Sequence, residues 1–121
     1  MTYISAVIPV YNEEDSLHEL HRQLTEVCHN NGYSYEIVFV DDGSTDSSWN
    51  RILDLRATDP HIKGIRFRRN FGKAAALNAG FKETTGEVVF TLDADLQDDP
   101  AEIPRFLEKL EHDELDVLSG W

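Results

Sequence analysis

Glu87-Val88-Val89-Phe90-Thr91-Leu92-Asp93-Ala94-Asp95-Leu96-Gln97 decides how this chain is read. Its first six residues are an apolar run rich in β-branched and aromatic side chains, which predicts a buried strand. Two carboxylates, Asp93 and Asp95, then stand one residue apart where that strand ends. Oxygen ligands so placed suit a hard divalent cation such as Mg2+ or Mn2+. Mg2+ is commonly held by one or two carboxylates together with substrate phosphates. The pattern points to a metal-held phosphate leaving group.

Working outward, residues 3–10 predict a first strand, stopped near Pro9. Asn12 then reads as a helix N-cap, with Glu13, Glu14 and Asp15 at the positive helix end. Leu17, Leu20, Leu24, Val27 and Cys28 recur at helical spacing to about His29, and Asn30-Asn31-Gly32 ends that helix. Residues 35–40 predict a second strand. Asp41-Asp42-Gly43-Ser44 is a loop, with Ser44, Thr45 or Asp46 capping a helix that carries Trp49, Ile52, Leu53 and Leu55. Residues 62–67 predict a third strand and 72–83 a helix, with Gly80 its weak point. Pro100 falls near the first turn of a last helix containing Ile103, Phe106, Leu107 and Leu110. Leu115-Asp116-Val117-Leu118 predicts a fifth strand.

Strands alternating with helices imply an α/β domain with a mainly parallel sheet. The expected architecture is a Rossmann-like three-layer α/β/α fold occupying residues 1–121 as one domain. Ligands of such sheets bind beyond the carboxyl ends of the strands. Tyr11-Asn12-Glu13, Asp41-Asp42 and Asp93-Ala94-Asp95 all fall there. Asp41-Asp42-Gly43-Ser44 taken alone is equally a turn with a helix cap. Beside the other acidic loop it reads as a site whose carboxylates accept hydrogen bonds from a nucleobase or ribose.

The 121 residues suffice for one domain with a real core, and 40% hydrophobic with 28% charged is an ordinary soluble composition. A formal net charge of -12 argues against a nucleic-acid binder that relies on phosphate attraction. An anionic substrate therefore needs a metal or a local cationic patch. Lys63, Arg66, Arg68, Arg69 and Lys73 are five of the eleven Lys and Arg. They form either a solvated edge or a phosphate-facing cluster. Cys28 is the single cysteine, which leaves no internal disulfide or cysteine-based metal site, and it reads as a small core residue. No basic leader precedes the first strand, and no apolar run approaches the ~18–20 residues that span a bilayer. The expected compartment is the cytoplasm.

Sharper motifs fail. No Gly-x-Gly-x-x-Gly supports a dinucleotide site. Gly72-Lys73 lacks the upstream glycine and the following Ser/Thr of a P-loop. In His18-Glu19-Leu20-His21-Arg22, an arginine stands where a His-Glu-x-x-His zinc motif needs its second histidine. The five histidines form no ligand cluster and read as surface residues. A phosphorelay receiver domain matches in size and acidity. It needs a phosphorylated Asp after strand three, where this chain has Arg66-Phe67-Arg68-Arg69, and a Lys after strand five, where it has Ser119-Gly120-Trp121.

Together these residues resemble the N-terminal part of a family 2, GT-A fold, inverting glycosyltransferase. The matching pieces are Val7-Ile8-Pro9-Val10-Tyr11-Asn12-Glu13, Val40-Asp41-Asp42-Gly43-Ser44-Thr45-Asp46, and Asn70-Phe71-Gly72-Lys73 with Asn78-Ala79-Gly80. The last is Leu92-Asp93-Ala94-Asp95-Leu96-Gln97-Asp98-Asp99-Pro100 followed by Ile103-Pro104. The Asp-Leu-Gln and the proline after the acidic pair resemble the polyprenyl-phosphate branch, which includes dolichyl-phosphate mannose synthases and undecaprenyl-phosphate sugar transferases.

The resemblance implies roles. Pro9, Tyr11 and Glu13 would line a nucleotide pocket. Val40 and Asp42 would lie at the base and ribose, with Asp41 beside them. Asp93 and Asp95, flanking Ala94, would hold Mg2+ or Mn2+ on the diphosphate of a nucleotide-sugar donor, with Gln97 supporting that metal site. Lys73 would approach the nucleotide. Family members continue past this point with an acceptor-binding half, a general base and often membrane helices. The resemblance therefore implies a donor-binding half, a general base beyond Trp121, and a lipid-phosphate acceptor in a parent protein at the cytoplasmic face of a membrane. A parallel sheet that ends at its fifth strand leaves an edge uncovered near residues 115–118, and self-association there, or marginal stability, is expected. The alternative reading is a nucleotide-sugar-binding module without turnover.

Overall fold

The apolar runs form the strands. They are β1 (Tyr3–Val10), β2 (Ser34–Asp41), β3 (Ile62–Arg66) and β4 (Val88–Thr91). Between and after them come α1 (Leu17–Asn31), α2 (Ser48–Thr58), α3 (Lys73–Phe81), a 3-10 turn (Pro100–Glu102) and α4 (Ile103–Asp113). This computed structural model describes residues 2–113, with side chains through residue 110. The fifth strand expected at Leu115-Asp116-Val117-Leu118, and Trp121, lie outside the described residues.

The four strands pair in parallel in the order β3-β2-β1-β4, with Val7 of β1 opposite Val38 of β2 and Thr91 of β4. Alternation along each strand builds two cores. Ile4, Ala6, Ile8, Ile37, Phe39 and Phe90 face one side and pack under Leu17, Leu20 and Leu24 of α1, Ile52 of α2 and Ile103 of α4. Val7, Val38 and Val40 face the other side and pack under Ala76 of α3. Burying each of the larger side chains contributes roughly 1.5–3 kcal/mol. Parallel crossovers are right-handed. The first two step one way across the sheet and the third steps back past β1. Equal handedness therefore puts α3 on the face opposite α1 and α2, as the packing has it. The layers are helix, sheet and helix, the α/β architecture expected of the sequence.

Gly80 is the contact that lets α3 approach. A Cβ there would lie 2.4 Å from Val7 Cγ1 and 3.2 Å from Val40 Cγ2. The residue that weakens the helix by propensity is thus the one its packing requires. Among the described residues no helix is long and apolar enough to cross a membrane.

Helix starts differ from expectation. α1 begins four residues later than an Asn12 cap requires, with Ser16 in the cap position. Asn12 instead adopts a left-handed backbone, φ 53°. Ser47 precedes α2, while Asp46 Oδ1 accepts from the Ser48 backbone N–H and hydroxyl.

Candidate functional site

The strand order reverses between β1 and β4, the crevice where open α/β sheets bind ligands. A cleft of about 280 Å³ opens there, lined by Pro9, Val10, Tyr11, Glu13, Asp42, Lys73, Asp93, Ala94 and Asp95. Eight of these nine are residues the sequence singled out. Val10 is the addition, and its place at the end of β1 was the available signal.

The loops that carry the cleft are stitched to one another. Asn12 Oδ1 accepts from the backbone N–H of Thr45 at 2.8 Å and of Asp46 at 3.3 Å, and the Asn12 N–H donates to Ser44 Oγ at 2.9 Å. The Glu13 N–H donates to Ser48 Oγ at 2.9 Å, and the Ser47 N–H to Glu14 Oε2 at 3.0 Å. The residues that read as a helix cap thus bracket the β1–α1 loop onto the β2–α2 loop. Sequence reasoning missed this, because the partners lie more than thirty positions away. The Ser16 hydroxyl donates to the Ala94 carbonyl and ties the start of α1 to the acidic loop.

Asp42 is buried, and both its oxygens are used. Oδ1 accepts from the Phe71 N–H at 2.7 Å and Oδ2 from the Gly72 N–H at 3.1 Å. Its carboxylate thereby sits at the amino end of α3, where a negative charge is favoured. Gly43, at φ 74°, lets the same loop approach, since a Cβ there would lie 2.3 Å from the Arg69 carbonyl carbon. Lys73 opens α3, and its Nζ donates to Asp93 Oδ1 at 2.6 Å. That hydrogen bond, and then the negative field of Asp93, Asp98 and Asp95, raises the Lys73 pKa above its ordinary value.

The acidic loop folds on itself. The Asp93 N–H donates to Asp98 Oδ2 at 2.8 Å, and the Gln97 N–H to Asp95 Oδ1 at 3.2 Å. Leu96 between them has φ 67°. Burial raises the Glu13 pKa, and the neighbouring Asp95 adds to it. The cleft is therefore an acid-rich surface with one lysine in it. Two aspartates supply hard oxygen donors that suit Mg2+ or Mn2+, with space for phosphate oxygens to complete the shell. Among the described residues no three His, Cys, Asp or Glu side chains are grouped to hold an ion unaided.

Three expected site residues do not line the cleft. Val40 is fully buried against Val7, Val38 and Ala76 on the α3 face. Asp41 is fully buried, and its Oδ1 accepts from the Ser44 N–H at 3.0 Å. Its Oδ2 has no hydrogen-bond partner among the described residues. Gln97 is exposed beside the acidic loop and away from the cleft lining. The basic run also divides: Lys73 reaches the cleft, while Lys63 pairs with Glu36 at 2.9 Å.

Known proteins share this fold. The fold matches mannosyltransferase PcManGT from Pyrobaculum calidifontis, solved in complex with GDP-Man and Mn2+. That match has a TM-score of 0.77 and 27% identity, and covers 88% of this chain and 32% of that one. S. aureus TarS 1-349 in complex with UDP-GlcNAc matches with a TM-score of 0.68 and 24% identity, over 93% of this chain and 32% of that one. Mannosyl-3-phosphoglycerate synthase from Rubrobacter xylanophilus matches with a TM-score of 0.68 and 20% identity, over 84% of this chain and 33% of that one. The chain spans about a third of the length of these structures. The family model for Glycosyl transferase family 2 matches residues 5–121, nearly the whole chain, and the chain belongs to that family.

Proposed function

We propose that this chain is the donor-binding part of a metal-dependent, inverting glycosyltransferase. It takes a sugar from a GDP- or UDP-sugar, and the acceptor is a polyprenyl phosphate. The observation that carries this reading is the meeting of Glu13, Asp42, Lys73, Asp93 and Asp95 in one cleft at the carboxyl ends of three strands. The likeness to a mannosyltransferase that holds GDP-Man and Mn2+ supports it.

In this reading Asp93 and Asp95 hold the divalent ion, with Gln97 supporting from the adjoining turn. The bound ion supplies Lewis-acid neutralisation of the departing nucleoside diphosphate. Lys73 adds a fixed cation to the same phosphates, on a helix end whose backbone N–H groups also favour anions. Tyr11 and Pro9 flank the nucleoside. Asp41, fully buried beneath the cleft, accepts from the Ser44 N–H and so shapes the loop that carries Asp42. Asp42 holds the Phe71-Gly72 turn and so presents Lys73. The catalytic base is expected outside residues 1–121.

Titration calorimetry with GDP, UDP and their sugars, with and without Mn2+, tests the reading. Metal-dependent binding of one nucleotide series supports it. A protein that binds neither series with Mn2+ present contradicts it.

A further inference from the structure

Charge is segregated along the sheet edge that carries the cleft. Glu13, Asp93, Asp95 and Asp98 gather after β1 and β4. After β3 the chain reads Arg66-Phe67-Arg68-Arg69-Asn70-Phe71, three arginines within four positions of a protein with a formal net charge of -12. Arg66, Arg68 and Arg69 are exposed. Among the described residues no carboxylate lies within ion-pair distance of any of them, whereas Lys63, Lys73 and Arg105 each have one and Arg22 has two.

These arginines are laid on aromatic rings. The Arg66 guanidinium lies 5.6 Å from the Trp49 ring centre, and that of Arg69 lies 4.8 Å from Phe71. Phe71 meets Phe67 edge-on at 5.6 Å and is 56% exposed. Arg66 and Arg68 also line a shallow recess of about 260 Å³ with Gly43, Ser44 and Phe67. The patch is continuous with the cleft, because Gly43 follows Asp42 and the Phe71 N–H is held by the Asp42 carboxylate.

We infer that Arg66, Arg68, Arg69 and Phe71 form a docking surface for an anionic lipid bilayer, which presents the neighbouring cleft to the membrane. The inference rests on the proposed lipid-phosphate acceptor and names the face on which that acceptor is met. Guanidinium groups bind phosphate oxygens bidentately, and several spread over one rim match a plane of headgroups better than one small anion. An exposed aromatic ring beside cations is the composition of a bilayer-interface contact, with the ring at the acyl boundary. A free phosphate leaves that ring in water. Glu13, Asp93 and Asp95 of the cleft follow β1 and β4, whereas the arginines end or follow β3.

The test is co-sedimentation of the protein with vesicles of phosphatidylcholine alone and of phosphatidylcholine with phosphatidylglycerol, at low and physiological salt. The variants are Arg68→Gln/Arg69→Gln and Phe71→Ser. All three positions are exposed, so thermal melts are expected to match wild type, and GDP and UDP calorimetry is run on every sample. The expected result is binding to the anionic vesicles alone, weakened by salt and by at least about tenfold in the double variant. Equal binding to neutral vesicles, or unchanged binding in the double variant, overturns the inference. So does binding to a single-stranded RNA oligomer with none to vesicles. Wild-type protein that binds vesicles as described but neither nucleotide retains this surface and loses the donor reading. Nucleotide binding without vesicle binding does the reverse.

Discussion

Lys73 Nζ lies 2.6 Å from Asp93 Oδ1, joining the first residue of α3 to the first acid after β4. The two reach the cleft from opposite sides of the strand-order reversal. Asp42, after β2, fixes the turn that presents Lys73 by accepting from the Phe71 and Gly72 N–H groups. The ends of β2 and β4 are thus connected through the start of α3 and its one cation.

Replacing Lys73 by Met is expected to change stability by less than about 1 kcal/mol. The side chain is 61% exposed, and exposed pairs contribute little. Nucleoside diphosphate affinity is expected to fall by about tenfold or more, roughly 1.4 kcal/mol. Because the Lys73 pKa is raised, its charge is complete below the ordinary lysine value and is lost only as pH rises through the higher folded value. Affinity measured by calorimetry is therefore expected to show no Lys73-dependent change around neutral pH.

Asn12→Ala is expected to destabilise the protein by about 1–3 kcal/mol. It leaves the Thr45 and Asp46 N–H groups without their acceptor, and it places on a left-handed backbone a residue that tolerates that conformation less well than asparagine. Asn12→Gly relieves the second effect and not the first, so its melting temperature is expected to fall between the two. Both variants are expected to bind nucleotide more weakly, because Tyr11 and Glu13 flank the bracket.

Glu36 reports on acid stability. Burial alone raises its pKa, but hydrogen bonds from Ser5 Oγ, the Thr85 N–H, Lys63 and Thr85 Oγ1 outweigh burial and bring it from 4.5 down to about 2. The folded pKa is depressed, so the stabilisation is complete above about 4.5 and is lost as pH falls toward 2. Its size is on the order of 3 kcal/mol. Urea melts of Glu36→Gln are expected to show lower stability at neutral pH and a flatter dependence in that window. Ser5, which donates to Glu36, also accepts from the Gly86 N–H. The network therefore pins the turn entering β4, the strand that leads to Asp93.

Gly80→Ala is expected to cost about 1–3 kcal/mol through overpacking against Val7. Helix propensity alone favours alanine by about 1 kcal/mol. A variant with a raised melting temperature would show that α3 can move away from the sheet freely.

The four described strands are legible because apolar runs bounded by Pro, Gly and Asp leave few alternatives. The meeting of Tyr11, Glu13, Asp42, Asp93 and Asp95 followed from their places at parallel strand ends. Val40 is expected at the base and ribose from the family resemblance alone. Alternation turns it to the α3 face with Val38, so closeness to the strand end does not bring it into the cleft. Gln97 is expected at the metal site from the family resemblance, but the turn through Leu96 sets it outside the cleft lining. Asn12 was misread because capping propensity is local, whereas its hydrogen bonds join two loops that only the fold brings together.

Calorimetric titration of GDP and UDP into wild type and Asp95→Ala, each with and without Mn2+, tests the central claim most directly. The account predicts that wild type binds one nucleotide with Mn2+ and loses most of that affinity without it, and that Asp95→Ala binds weakly in both conditions. Equal binding by both proteins, with or without Mn2+, would contradict it.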